Sequence, residues 1–249
     1  MGKMIPFPKK KSKRTLSISI LSMIISIATF FSIILISPIF TLKQIEVLGN
    51  ERYSIEEILD RLHIQEGMNV FGFIMNNEIK KFKNDPYIEK IDIKLDFPHQ
   101  VQINIIERKA IGYVPYMGAY LSIDKDGRVL ETTNQLDFPL PLVVGLQFQG
   151  FSLGDILIVE QEEIFDVILK ISQTMFKYDI LDKMVKIDIN SSKDIQLQIG
   201  NIHVLLGGIQ EYDYKIRALL QILKYIPKED KGFLDLSDTS KPFVFKYLT

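Results

Sequence analysis

The stretch DPYIEKIDIKLDFPHQVQINIIER, residues 85–108, decides the fold. It holds two runs in which apolar and polar side chains alternate. Ile91, Ile93, Leu95 and Phe97 fall on one side of an extended chain, and Asp92, Lys94 and Asp96 on the other. After Pro98-His99-Gln100, Val101, Ile103 and Ile105 repeat the pattern. A period of two marks a strand with one buried face, so the segment predicts two strands joined by a turn. Upstream, Leu42 to Val47 alternates more loosely and ends at Gly49-Asn50, which predicts another strand. Ser54-Ile55-Glu56-Glu57 then has capping-box spacing, and Ile55, Ile58, Leu59 and Leu62 recur at helical intervals behind it. A second short helix is expected over Asn77 to Phe82, stopped at Asn84-Asp85-Pro86. The order strand, helix, helix, strand, strand over residues 40–109 predicts an α+β module with helices on one face of a small sheet.

Residues 110–249 read as a second domain, a mixed β-sheet with two helices. Tyr120–Ile123 and Val129-Leu130 are strands around an Asp124-Lys125-Asp126-Gly127 turn, and Pro139 and Pro141 mark a loop or edge segment. Ile164, Ile168, Ile171 and Met175 are spaced four, three and four, which makes Gln161–Lys177 an amphipathic helix. Val185, Ile187 and Ile189 alternate with polar residues. Ile195–Ile199 and Ile202–Leu206 flank a Gly200-Asn201 link, a hairpin signal. Tyr212, Ile216, Leu219, Leu220 and Leu223 line a further helix that ends before Pro227. Phe233–Leu236 and Phe243–Tyr247 are the last strand segments.

Before the module, Thr15 to Leu42 contains no charged residue. Leu16–Ile36, at ~1.5 Å per helical residue, reaches about 30 Å, the thickness of a bilayer's hydrocarbon core. The segment 15–38 is therefore expected to be a transmembrane helix. A soluble helix of this length would show a polar stripe. A cleaved signal peptide would have a shorter apolar stretch and a small-x-small site. Lys3, Lys9, Lys10, Lys11, Lys13 and Arg14 make residues 1–14 a basic tail, placed in the cytoplasm by the positive-inside rule, with the rest of the chain outside.

Charge and composition exclude several functions. Of the 30 basic and 31 acidic residues, six basic ones lie in the tail, so 24 basic face 31 acidic beyond it. An acidic body is a poor ligand for nucleic acid. There is no cysteine, which removes disulfides, thiolate metal sites and a thiol nucleophile. His63, His99 and His203 are too scattered for a zinc site, and no Gly-x-Ser-x-Gly elbow occurs. An EF-hand loop counted from Asp124 would need a glutamate where Gln135 stands. Gly207-Gly208 lacks the Lys-Ser/Thr of a phosphate loop and reads as a strand-to-helix corner. Glu56 with Glu57, and Asp235 with Asp238, are sequence neighbours only. Acid–base catalysis needs carboxylates that converge in a pocket. No enzyme, cofactor or metal is expected.

These elements, in this order, resemble the FtsQ/DivIB family of bacterial cell-division proteins. The resemblance rests on the basic tail and single span, IEVLGN (45–50), the 85–108 segment, YLSIDKDGRVLE (120–131), LPLVVG (140–145), VLLGG (204–208) and GFLDLS (232–237). It implies a POTRA-like domain over 40–109 and a β domain over 110–249, in a non-catalytic scaffold of the division septum. The implied partners are FtsB/DivIC-like and FtsL-like coiled-coil membrane proteins and, through them, the septal peptidoglycan synthase FtsW and its transpeptidase. In the family an FtsB-type partner adds a strand to the C-terminal part of the β domain. Here that position holds Leu234, Asp235, Leu236, Ser237, Asp238, Lys241, Phe243, Val244, Phe245 and Tyr247. The chain has no tryptophan and neither the longer cytoplasmic region nor the C-terminal tail of many Gram-positive members, so an aromatic contact made by tryptophan elsewhere falls to Phe243, Phe245 or Tyr247.

The residues themselves allow two readings, core packing and strand addition, and the resemblance favours the second. Phe233, Leu234, Leu236, Phe243, Val244 and Phe245 are unusually apolar for a protected sheet edge, though Lys241 and Pro242 interrupt the run. Core packing of alternate residues explains part of this, and pairing with an added strand explains the rest. Two rivals are a POTRA-type chaperone for export or outer-membrane assembly, which would need a long β-barrel, and a membrane-tethered hydrolase.

Overall fold

The computed structural model describes residues 13–75, 78–136, 139–227 and 229–248, and in the first helix the side chains of residues 20–34. The basic tail before Lys13 and the expected helix start at Asn77 lie outside the described residues. The chain divides into two compact units: Met1–Phe82 with Ile91–Ile105, and Lys83–Lys90 with Ile106–Thr249.

The first unit opens with α1 (Lys13–Ile36), followed by a 3-10 turn at Pro38–Phe40. The large apolar side chains described on α1, such as Ile24, Phe30 and Ile33, are exposed. Among the described residues no helix is long and apolar enough to cross a membrane. Then come β1 (Gln44–Leu48), α2 (Ile55–Leu62), α3 (Val70–Ile74), α4 (Glu78–Lys83), β2 (Ile88–Asp96) and β3 (Gln100–Glu107). The sheet order is β1-β3-β2, with β1 parallel to β3 from Gln44↔Gln100 to Leu48↔Asn104. The capping box forms in part as its spacing implies: Ser54 Oγ accepts the Glu57 N–H at 3.1 Å. Ile58, Leu62, Val70, Phe73, Phe82, Val101 and Ile103 are buried.

Among the described residues the module thus has three helices where two were expected. The extra one, VFGFI, is too short to show a helical period and carries Gly72 in its middle. Asn69 starts it by accepting the Phe71 N–H at 2.9 Å, and Val70 and Phe73 hold it to the core. The alternation in β2 survives, but its burial fades along the strand. Ile91 is buried, Ile93 and Leu95 are half-buried, and Phe97 is exposed.

The second unit contains β4 (Ala110–Tyr116), β5 (Ala119–Asp124), β6 (Val129–Thr133), β7 (Leu142–Val144), α5 (Glu162–Lys177), β8 (Met184–Ser191), β9 (Asp194–Ile199), β10 (Ile202–Gly207), α6 (Tyr212–Ile222), β11 (Gly232–Asp235) and β12 (Val244–Tyr247). They form one nine-stranded mixed sheet, ordered β12-β11-β10-β9-β8-β7-β4-β5-β6. Its core joins Phe165, Ile168 and Met175 of α5 and Ile216 and Leu219 of α6 to the inward residues of the strands. The fold is α+β, a three-stranded module followed by a large mixed sheet with two α-helices, as the pattern implied.

Residues 139–141, expected as loop or edge, lie outside any strand, and Leu142–Val144 directly after them is a central strand parallel to both β4 and β8. Pro141 precedes the strand, so its missing N–H costs no ladder bond, and its carbonyl accepts the Tyr113 N–H at 2.9 Å. Val185, expected to share a face with Ile187 and Ile189, is half exposed. A register shift between Met184 and Lys186 puts Met184 in the core in its place.

The Asp124–Gly127 segment is a hairpin turn. Asp124 is buried, accepts backbone N–H bonds from Asp126 (2.9 Å) and Arg128 (2.8 Å), and pairs at 2.8 Å with the largely buried Arg108 guanidinium, which also reaches Asp126 at 3.5 Å. Gly127 has φ +77°, and a Cβ there would lie 2.7 Å from the Phe165 ring. Removing one partner of a buried pair strands the other charge. Asp124→Ala should therefore destabilise this unit by about 3–5 kcal/mol, read as a lower midpoint in urea unfolding.

Candidate protein-interaction edge

The site begins with the parallel pairing of β11 on β10, Ile202↔Gly232 through Leu205↔Asp235. Leu234 and Leu236 are fully buried and root this strand in the core, and the Leu236 N–H donates to the Leu205 carbonyl at 2.8 Å. On the helical side, the buried Lys215 of α6 donates to the carbonyls of Leu206 (2.9 Å) and Gly208 (3.1 Å), which closes the end of β10. Burial lowers the Lys215 pKa from its ordinary value, and Glu211 opposes the shift.

After β11 the chain reverses through two carboxylate turns. Asp235 accepts the backbone N–H (2.9 Å) and hydroxyl (2.6 Å) of Ser237, which with the nearby Lys246 lowers its pKa against the effects of burial and Asp238. Asp238 takes the Lys241 ammonium at 2.7 Å and the Ser240 backbone N–H at 3.0 Å. These contacts hold its carboxyl at about 2 and raise the Lys241 pKa. Thr239 donates its hydroxyl to Glu211, tying the reversal to the start of α6.

The returning strand β12 runs antiparallel to β11, with Gly232↔Tyr247, Phe233↔Lys246, Leu234↔Phe245 and Asp235↔Val244. The Leu248 N–H donates to the Lys231 carbonyl at 2.9 Å, and this sets the hydrogen-bonding phase. In an antiparallel ladder bonded pairs recur every second residue. The main-chain groups of Val244 and Lys246 therefore face β11, and those of Phe245 and Tyr247 face away. Phe245 packs its ring on Gly232, where a Cβ would come within 2.1 Å of it, and meets Tyr247 edge-on at 4.9 Å. Phe243 lies against Tyr214 of α6 at 5.8 Å. Val244 and Tyr247 are largely exposed.

The two margins of the sheet differ. At β6 the outer side is bonded where the strand begins: the Val129 N–H donates to the Asp155 carbonyl (2.9 Å), and its own carbonyl accepts the Gly154 N–H (2.8 Å). Among the described residues no strand lies outside β12.

The ten residues singled out in sequence therefore divide by role. Phe243, Val244, Phe245 and Tyr247 lie on or beside the margin. Asp235, Ser237, Asp238 and Lys241 build the reversal that presents it. Leu234 and Leu236 are core residues of the neighbouring strand and support it from behind. Sequence reasoning missed Gly232, Tyr214, Lys215 and Glu211. A glycine opposite an aromatic residue was the one local signal available.

The other motifs carry no shared chemistry. His63 ends α2 in a left-handed conformation, His99 sits in the β2–β3 turn with Nδ1 3.2 Å from the Thr41 carbonyl oxygen, and His203 is exposed on β10. Among the described residues no group of three or more histidine or carboxylate side chains is placed to hold a metal.

Residues 40–108 match the family model described as POTRA domain, FtsQ-type. Over these residues the chain is similar to a POTRA domain. The similarity to curated proteins runs much further. The cell division protein DivIB of Clostridium botulinum (strain Hall) is 28% identical, over 95% of this chain and 93% of that protein. DivIB of Clostridium tetani is 29% identical over 86% of each, and FtsQ of Syntrophotalea carbinolica 27% over 91% and 80%. Along most of its length the chain is thus similar to FtsQ/DivIB cell-division proteins, the resemblance its motifs carry. The match to the solved major extracytoplasmic domain of DivIB from Geobacillus stearothermophilus covers 49% of this chain and 98% of that one, at 18% identity and a TM-score of 0.30.

The pKa of Asp238 gives a titration test. Its folded value lies below the ordinary 3.8, so whatever stability the turn lends is full above that value and is lost as pH falls through about 2. An NMR titration of the Asp238 carboxyl should give a midpoint near 2, moved up toward 3.8 in Lys241→Ala.

Proposed function

We propose that this chain is a non-catalytic scaffold of the bacterial divisome, anchored by α1 as a single membrane span, which receives an extended segment of an FtsB/DivIC-like partner along the outer side of β12. The observation that carries the proposal is the margin itself: a short, apolar, aromatic strand whose Phe245 and Tyr247 main-chain groups point away from the sheet. Such a row templates another strand, with main-chain bonds supplying affinity and side-chain contacts supplying choice of partner. Similarity to DivIB proteins along nearly the whole chain supplies the context of cell division.

The membrane reading rests on the uncharged run from Thr15 to Leu42 and on the six basic residues in front of it. With the tail inside, the POTRA-like domain over 40–109 and the β domain over 110–249 lie outside the cell membrane, concentrated at the septum. FtsL-like proteins reach the same margin together with the FtsB/DivIC-like one. The septal synthase FtsW and its transpeptidase are engaged through these partners, and septal peptidoglycan synthesis is thereby regulated.

The hydrogen-bonding phase permits a sharp test. Proline at 247 removes an N–H that the protein does not use in its own ladder, whereas proline at 246 removes one that it does. Tyr247→Pro should weaken binding of a co-expressed FtsB/DivIC-like partner by about tenfold or more, the loss of at least one main-chain bond plus a steric block. It should leave the unfolding midpoint of the free protein in place, while Lys246→Pro lowers it. Undiminished binding by folded Tyr247→Pro would remove the strand-addition reading.

A further inference from the structure

At one end of the first unit, three segments distant in sequence bring apolar side chains together at the surface. Phe40 ends the 3-10 turn after α1, Phe71 lies on α3, and Phe97 lies in the β2–β3 turn. Their ring centroids are 5.1 Å (Phe40–Phe71), 5.6 Å (Phe40–Phe97) and 6.1 Å (Phe71–Phe97) apart. Around them Ile39 is 61% exposed, Ile74 51%, Met75 81% and Phe97 52%. Main-chain bonds knit the three segments: Leu42 N–H to the Met68 carbonyl (2.8 Å), Gly67 N–H to the Leu42 carbonyl (2.8 Å) and Lys43 N–H to the His99 carbonyl (2.8 Å). An apolar surface held this firmly and left uncovered calls for a partner.

Its place along the chain says which partner. Phe40 is the fourth residue beyond the end of α1 at Ile36, and four extended residues reach at most about 14 Å. The intervening 3-10 turn shortens that reach. If α1 spans the membrane, the aromatic cluster emerges within the headgroup region or just beyond it. Aromatic rings and exposed aliphatic chains favour that zone, with their apolar bodies toward the acyl chains. The charged residues of the same segments, Lys43, Glu66 and Asp96, carry no positive excess, so the contact rests on apolar burial and not on anionic lipid.

We propose that this end of the first unit, Ile39, Phe40, Phe71, Ile74, Met75 and Phe97, lies in the interface of the phospholipid bilayer crossed by α1. The surface seats the POTRA domain on the membrane. The proposal rests on the reading of α1 as a span, and its test separates the two.

The natural chain has no cysteine, so single labelling sites are available. Full-length Ile27→Cys, Met75→Cys and Ile55→Cys variants are labelled with a nitroxide and reconstituted in phosphatidylcholine vesicles. Collision with oxygen is then compared with collision with a water-soluble nickel chelate. Ile55 begins α2 beyond the far end of β1 and serves as the aqueous reference. The expected oxygen-to-nickel ratio is highest at 27, severalfold above the position-55 value at 75, and lowest at 55. A position-75 ratio equal to that at 55, with 27 still membrane-like, overturns the interfacial seat and leaves the span standing. An aqueous ratio at 27 overturns the span and the seat together. Because Met75 is exposed, its label disturbs no core packing.

Discussion

A strand's main-chain groups point alternately to its two sides, and among the described residues β12 has a neighbour on one side only. Everything around that strand fixes which groups face out. The parallel seat of β11 on β10 is held by Leu234 and Leu236 in the core and by the buried ammonium of Lys215 at the end of β10. The Asp235 and Asp238 turns then return the chain at one register. Had the return been a residue longer or shorter, the same aromatic side chains would lie on the opposite face.

Edge strands are normally blunted by charge, by proline or by cover. Here Lys241 and Pro242 precede the strand, and the main-chain groups of Lys246 are used inward. The part that remains open is short and aromatic. Short length limits indiscriminate pairing, and the Phe245 ring over Gly232 replaces side-chain contacts that a glycine cannot make. Such a margin suits an ordered partner better than random association. The opposite margin at Val129 is bonded to the segment around Asp155, so the two ends of one sheet are treated differently.

Much of this was legible in the sequence, for identifiable reasons. Two-residue alternation announced β2 and β3, and the Gly200-Asn201 link announced the hairpin of β9 and β10. The Ser54 cap announced α2, and the four-three-four spacing of Ile164, Ile168, Ile171 and Met175 announced α5. Three features did not show. α3 is shorter than two helical turns, so no period develops. β7 is three residues long behind a proline, and only its two parallel neighbours make it a strand. The register shift at Met184–Lys186 depends on pairing with β9, which no local pattern encodes. At the candidate edge, the apolar residues were visible as a group. Their division into core support and open margin needed the pairing register and the bond from Leu248 to Lys231.

The central claim is that Phe245 and Tyr247 offer unpaired main-chain groups to a partner strand. Residue-resolved amide hydrogen exchange, with and without an FtsB/DivIC-like partner, tests it most directly. The account predicts fast exchange at 245 and 247 beside slow exchange at 244, 246 and 248 in the free protein, with strong protection gained at 245 and 247 on binding. Amides at 245 and 247 that are already protected in the free protein, or that stay fast in the complex, would contradict it.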